Sequence, residues 1–321
     1  MTYIPLKMHP WYKEYLWGGT RLKRDFHKAD APAVTAESWE LADLPDGQST
    51  VEWGRFQGQT ISQLGKHNQS GFWGTNCENR EFPLLVKLID AEKDLSIQVH
   101  PSNETADPEL GEQGKAEMWY IVDCEPKSSI YLGFSERISR ETFLRKARNG
   151  TICEVLNCVP VTKGDAFYIS PGTIHAIQAG IVIAEIQQSS NTTFRVYDYQ
   201  RRGTDGRLRP LHLERAAEVL NYNPIMPREC RANSVITFPE FTMAEMYTCS
   251  YFRAYRIDVH PEVTLRCDEQ SFQHILCVEG DGAICHQSIQ YPIRQGESYF
   301  LPASLGEYQI TGHCRVLLSR I

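Results

Sequence analysis

Short apolar segments that alternate with polar residues, broken by Gly, Pro, Asn and Asp, run from Phe82 almost to the C-terminus. A chain patterned this way can bury its apolar side chains only by pairing strands. Leu84 to Ile89, Leu95 to His100, Met118 to Val122, Val159 to Thr162, Ala166 to Ile169, Ile181 to Gln187 and Phe194 to Tyr199 read as strands. The rhythm returns at Met243 to Cys249, Phe252 to Val259, Gln273 to Val278, Ala283 to His286, Ser298 to Leu301 and Tyr308 to Thr311, with Gly280-Asp281-Gly282 as a turn. The 22 Gly and 17 Pro supply the punctuation, and 15 Tyr, 13 Phe and 6 Trp supply the core. The pattern predicts a mostly β sandwich or barrel and excludes collagen, coiled coil and a disordered tail.

Upstream, Ser38 to Ala42 and Ser49 to Trp53 flank Asp46-Gly47 and predict a β-hairpin. Helices are few and short: one over Thr60 to Lys66, one after the N-cap candidate Ser139 and ending at Gly150, and one over His212 to Leu220. A length of 321 residues suits two domains or one elaborated domain. Between Asn221 and Pro239 the composition shifts to Asn, Pro, Arg and Ser without periodicity, so a boundary is placed near residue 235. One echo links the halves: Gly164-Asp165-Ala166-Phe167-Tyr168-Ile169-Ser170-Pro171 resembles Gly296-Glu297-Ser298-Tyr299-Phe300-Leu301-Pro302.

A formal charge of −7 argues against nucleic acid or an anionic membrane as partner, since both demand a basic face. The N-terminus lacks the cationic start and apolar stretch of a signal peptide, and no run approaches the ~20 apolar residues of a membrane span. A cytoplasmic location and a monomer or homodimer are expected. The ten cysteines, Cys230 among them, are scattered with no Cys-x-x-Cys, which predicts reduced thiols rather than a disulfide scaffold or thiolate zinc.

Candidate chemistry gathers at four places. Gln98 and His100 lie two apart in a strand-like stretch, so the pleat sends both to one face while Ile97 and Val99 take the other. Glu117 heads a hydrophobic strand, and His175 follows a Pro-Gly turn into the next strand. Two imidazoles, a carboxylate and an amide oxygen suit a divalent first-row metal, zinc first, with an open position. Taken singly, His175 reads equally as a core or rim histidine and Gln98 as an edge amide. Arg195 alternates with Phe194 and Val196 and so points away from them.

Six stretches, in order, resemble the short bacterial type I mannose-6-phosphate isomerases of the cupin superfamily. They are Tyr15-Leu16-Trp17-Gly18-Gly19, Glu37-Ser38-Trp39-Glu40, Ser96-Ile97-Gln98-Val99-His100-Pro101, Gly114-Lys115-Ala116-Glu117-Met118-Trp119-Tyr120, Gly172-Thr173-Ile174-His175-Ala176, and the run from Glu185 to Arg195. The resemblance implies two cupin-type (jelly-roll) β-barrels: a metal-binding catalytic domain over residues 1–235 with helical insertions, and a barrel without metal over 236–321. It further implies one Zn2+ per chain on Gln98, His100, Glu117 and His175, with Arg195 as the essential arginine and Lys115 beside the metal. Two departures stand out. Ser170 replaces a frequent proline before the Gly-Thr-x-His turn. Tyr308 stands near where a second ligand histidine would fall, although His274 and Glu279 remain as possible relics.

The implied reaction interconverts mannose 6-phosphate and fructose 6-phosphate by moving a proton between C1 and C2 through an enediolate. Lys115 would serve as base or donor, or else is a solvated lysine. Arg195 would bind phosphate or enediolate with two parallel hydrogen bonds, or else pairs with Asp198 at the rim. Glu185, with Gln187 on its face, would touch substrate, orient the arginine, relay a proton or make a structural hydrogen bond. Arg201 or Arg202 could complete a phosphate pocket. Two other classes fit the residues: a non-catalytic sugar-phosphate-binding cupin, and another metal-dependent cupin enzyme such as an iron oxygenase using His100, Glu117 and His175 alone.

Overall fold

The computed structural model describes residues 3–78, 80–203, 206–227 and 234–321, so Cys230 and part of the expected linker lie outside the described residues. The chain is mostly β, as its patterning predicts, and groups into two compact units that interleave along the sequence. One gathers Met1–Lys13, Thr20–Leu88 and Ala232–Ile321; the other gathers Glu14–Gly19 and Ile89–Arg231.

The second unit contains every candidate site residue. Its five-stranded sheet runs in the order Leu156–Pro160, Ser129–Phe134, His175–Ile177, Ile97–Val99, Phe194–Tyr197. One face of this sheet is apolar: Ile97, Val99, Ile174, Ala176, Phe194 and Val196 pack under the helices Arg140–Arg148 and Leu213–Val219 through Phe143, Leu144, Ala216 and Ala217. Because side chains alternate, the opposite face receives Gln98, His175 and Arg195. Ser139 caps the first helix by accepting the Thr142 N–H at 3.1 Å, as its sequence position predicts. A second group of strands, Ala166–Ile169, Glu117–Cys124 and Ile181–Gln188, carries the remaining candidates.

In the first unit a sheet links Ser234–Thr237, Phe241–Thr248, Arg253–Val259, Gly306–Arg320, Gln273–His286, Ser298–Leu301, Leu6–His9 and Thr50–Val51 in that order. Its core holds Ile257, Val263, Ile275, Tyr299, Leu301, Tyr308 and Val316.

Three expectations change here. The hairpin about Asp46-Gly47 shrinks to Asp43–Leu44 with Gly47–Gln48; Glu37–Leu41 pairs with Trp11–Lys13 and Thr50–Val51 with Leu6–His9. Glu37–Leu41 is buried at every position, so it is an interior strand and not the arm of a hairpin. Gly280-Asp281-Gly282 does not turn: Gln273–His286 continues through it as one strand, with a register shift against Gly306–Arg320 between Cys277 and Glu279. There the glycines let two strands approach, since a Cβ on Gly282 would come within 2.2 Å of the Thr311 carbonyl. The turn falls at Gln287-Ser288, whose φ angles of 49° and 63° are those of a tight hairpin turn. Strand Ser234–Thr237 occupies part of the expected linker.

The echo between the halves is structural. Gly164 donates to the Ile121 carbonyl and Ile121 to the Asp165 carbonyl, at 2.9 and 2.8 Å; Gly296 and Cys277 repeat the exchange with Cys277 and Glu297, at 2.8 and 3.0 Å. The registers that follow pair Ile169 with Glu117 and Leu301 with Gln273. Gln273, not His274, therefore stands where Glu117 stands in the other unit, and it accepts a hydrogen bond from the Tyr308 hydroxyl. His274 is buried on the opposite face, and Glu279 pairs with Arg315, so the two supposed relics do not share a site.

Candidate metal centre

His100, Glu117 and His175 converge. Their ligand atoms lie within 4.8 Å of one another and all three residues are buried. His100 Nε2 is 3.2 Å from Glu117 Oε1, and His175 Nε2 is 3.7 Å from Glu117 Oε2. Each ring is fixed from behind: His100 Nδ1 donates to the Thr192 carbonyl at 2.7 Å and His175 Nδ1 to the Thr173 carbonyl at 2.8 Å. That arrangement protonates Nδ1 and leaves each Nε2 lone pair facing the centre, as metal-ligating imidazoles require. His100 Nε2 and both Glu117 oxygens are buried without a well-aligned hydrogen bond. These orphaned acceptors, one imidazole nitrogen and a carboxylate, together with the His175 Nε2 that meets only the Gln98 amide at 3.5 Å, are a donor set that fits a divalent cation.

The electrostatics agree. Burial, and then the Lys115 charge, lower the His100 pKa; burial, and then His100, bring that of His175 down to about 3, so both rings are neutral. Burial alone would raise the Glu117 carboxyl. The Lys115 charge, foremost among its neighbours, outweighs it and holds it well below the usual carboxylate value. Lys115 is not solvated: it is 4% exposed, and Nζ lies 2.7 Å from Glu117 Oε1. It precedes the strand and is brought inward by the loop, its N–H bonding to the Pro101 carbonyl at 3.0 Å.

Gln98 sits in register between His175 on one side and Arg195 on the other. Its Nε2 is 3.5 Å from His175 Nε2, so it borders the three-residue cluster. Arg195 Nη1 donates to the Pro210 carbonyl at 3.0 Å, while Nε is buried without a partner. Burial, and then the like charge of Arg209, depress the Arg195 pKa against the offset of Asp198. Asp198 does not claim Arg195; it takes Arg201 and Arg209, the latter through Nε at 2.7 Å. Arg202 is exposed and donates to the Gly206 carbonyl. Glu185 is buried and accepts the Trp119 indole N–H at 2.8 Å, and that indole packs edge-on against the His175 ring.

The sequence passed over several groups that build this centre. His212 brackets Arg195, donating its N–H to the Arg195 carbonyl at 2.8 Å and accepting the Arg195 N–H on Nδ1 at 3.1 Å. Gln188 and Ser190 tie the Gln188–Thr192 loop to Ala116 and Gln113, which sets both the Thr192 carbonyl and the approach of Lys115. No spacing rule finds backbone carbonyls, and a lone histidine before a helix carries no signal of its target. The turn before His175 keeps its form despite Ser170, whose hydroxyl pairs with that of Thr173 at 2.9 Å.

Comparison with known proteins gives one consistent result. "Phosphomannose isomerase type I, catalytic domain" matches residues 6–130, and "Mannose-6-phosphate isomerase, cupin domain" matches residues 242–321. Mannose-6-phosphate isomerase ManA of Bacillus subtilis (strain 168) is 36% identical over 322 residues, covering 100% of both chains. The mannose-6-phosphate isomerase of Streptococcus mutans is 31% identical over 98% of both. The crystal structure of the mannose 6-phosphate isomerase from Bacillus subtilis superposes with a TM-score of 0.91 at 32% identity, covering 99% of each chain.

Proposed function

This chain belongs to the type I phosphomannose isomerases and is an isomerase, and on that premise we propose that it interconverts mannose 6-phosphate and fructose 6-phosphate with one zinc ion per chain. The observation that carries the reading is the convergence of His100, Glu117 and His175 with Lys115 at 2.7 Å from the carboxylate. His100, Glu117 and His175 would hold the ion, and Gln98 would join them through its amide oxygen after turning the amide over. The bound ion would polarise the sugar carbonyl as a Lewis acid.

The remaining work falls to this chain's own side chains. Lys115, buried beside Glu117, is placed to exchange a proton with the sugar at C1 or C2. Arg195, on the same face as Gln98, supplies a guanidinium to the developing enediolate. Glu185, held by Trp119, is assigned to substrate binding. Arg201 and Arg209, gathered by Asp198, are assigned to the phosphate, a role for which Arg202 faces the wrong way. A catalytic, metal-binding region over 1–235 and a cupin-like barrel without metal over 236–321 belong to the same reading as a functional division that cuts across the two compact units, and the Gln273–Tyr308 hydrogen bond supports only its metal-free part. So do two jelly-roll barrels, a monomer or homodimer, and a cytoplasmic location. None of the nine described cysteines forms a disulfide. Among the described residues no helix is long and apolar enough to cross a membrane.

Steady-state turnover of a panel of phosphorylated hexoses, before and after chelation, tests this. Chelation should abolish conversion of mannose 6-phosphate and zinc should restore it. Arg195→Ala should fold normally yet lose most activity, whereas full activity in that variant removes the role given to Arg195. Asp198→Asn should raise KM for mannose 6-phosphate more than it lowers kcat. Ligand-induced thermal stabilisation without turnover would instead indicate a sugar-phosphate-binding protein.

A further inference from the structure

We infer that Gln187 binds substrate, its side-chain oxygen accepting a hydrogen bond from a hydroxyl of the sugar, an assignment that rests on the isomerase reading above. Gln187 is fully buried. Its Nε2 donates to two backbone carbonyls, Gln188 at 2.9 Å and Ser190 at 2.7 Å. Carbonyl oxygens only accept, so chemistry fixes which way the amide faces. Oε1 must point the other way, and there it is buried with no hydrogen-bond partner. A buried acceptor left unmade is costly and marks either strain or a missing donor.

The register says where that donor comes from. Gln187 lies directly opposite Glu117 in the ladder, and Glu185 opposite Trp119. Opposed residues share a face, so Gln187 emerges beside the metal-centre carboxylate and on the side where Trp119 meets the His175 ring. Lys115 and Arg195 offer only donors, and Glu117 is committed to the cluster. A sugar chain lying there brings hydroxyl donors, and a neutral amide oxygen takes one without adding charge. The phosphate, which at this site only accepts, has no use for it.

The test uses zinc-reconstituted protein, wild type and Gln187→Leu, with Gln187→Met as the variant of matching length should the first not fold. Calorimetry measures binding of a hexitol 6-phosphate, the reduced and unreactive counterpart of the substrate. Loss of the acceptor should weaken that binding, and raise KM for mannose 6-phosphate, by about tenfold. The inhibition constant of inorganic phosphate and the zinc content should stay at wild-type values. Unchanged hexitol phosphate binding overturns the assignment, and so does a parallel weakening of inorganic phosphate, which a merely structural role would cause. Reduced zinc content overturns it too, by directing Oε1 at the metal. If neither variant folds, a crystal structure of the wild type with the hexitol phosphate decides, a Gln187 oxygen without a sugar hydroxyl within hydrogen-bond distance being fatal. Because binding needs no turnover, absent isomerase activity alongside intact, Gln187-dependent binding would sink the reaction and leave this residue's role standing.

Discussion

His212 accepts the Arg195 N–H only while its Nδ1 is unprotonated, and this single contact makes a pH prediction. Burial, and then the Arg195 charge, hold its pKa below the usual imidazole value. A depressed histidine contributes fully above its unfolded pKa of about 6.5, and the contribution is lost as the pH falls through the lowered folded value. His212→Asn should keep an acceptor near the same place and most of kcat. His212→Ala should lower kcat by about tenfold, the worth of one hydrogen bond of roughly 1 kcal/mol compounded by misplacement of the guanidinium. A kcat–pH profile for the three proteins checks this, and an Ala variant with wild-type kcat would remove His212 from the positioning role. At this scale the sequence was informative about direction and silent about partners. The period of two correctly sent Gln98 away from Ile97 and Val99, and Arg195 away from Phe194 and Val196. It left Lys115 open between a buried and a solvated reading, because residues outside a regular element have no period to read. Its burial depends on the Pro101 carbonyl and the loop that covers it.

Among elements, the helices Arg140–Arg148 and Leu213–Val219 matter to the site although no candidate residue lies on them. They press on the apolar face of the sheet whose other face carries Gln98, His175 and Arg195. Phe143 is fully buried in that layer, so Phe143→Ala should cost about 3–5 kcal/mol of stability by leaving a cavity. Denaturant unfolding measures it, and at low temperature the folded fraction should keep its kcat. Strands and capped helices were legible because amphipathic period and caps are local: Ser139 was readable as an N-cap, and the helix expected over Thr60 to Lys66 forms as Ile61–His67, where the structure adds a reciprocal Thr60–Gln63 capping box. Turns were legible only when their chemistry was not shared with another use of the same residues. Gly280-Asp281-Gly282 spells a turn, yet its glycines serve close strand contact, while Gln287-Ser288 turns without a strong turn residue. Strand pairing overrode local propensity in both.

At the scale of the molecule, the first unit joins segments from both ends of the chain, and a buried ion pair is built into it. Lys28 Nζ lies 2.7 Å from Glu40 Oε1, both side chains nearly inaccessible, with Ser38 and Ser298 bonding the same carboxylate. Removing the cation alone leaves a buried charge without its partner, so Lys28→Met should destabilise by about 3–5 kcal/mol, seen as a lower melting temperature. An unchanged melting temperature would mean that the pair is not sequestered from water. The sequence by itself determined that this chain would be mostly β, where most of its strands and helices lie, and that two imidazoles, a carboxylate and an arginine were available in strands, with a lysine beside them. Those properties follow from period, caps and residue chemistry, which act over a few residues. Only the tertiary structure decided that His100, Glu117 and His175 meet, that Arg209 and not Arg202 pairs with Asp198, that Gln187 stands opposite Glu117 with an unanswered oxygen, and that the chain's ends share one unit. Each depends on which strands pair, and pairing is settled by the summed burial of side chains distant in sequence, a quantity no local pattern encodes.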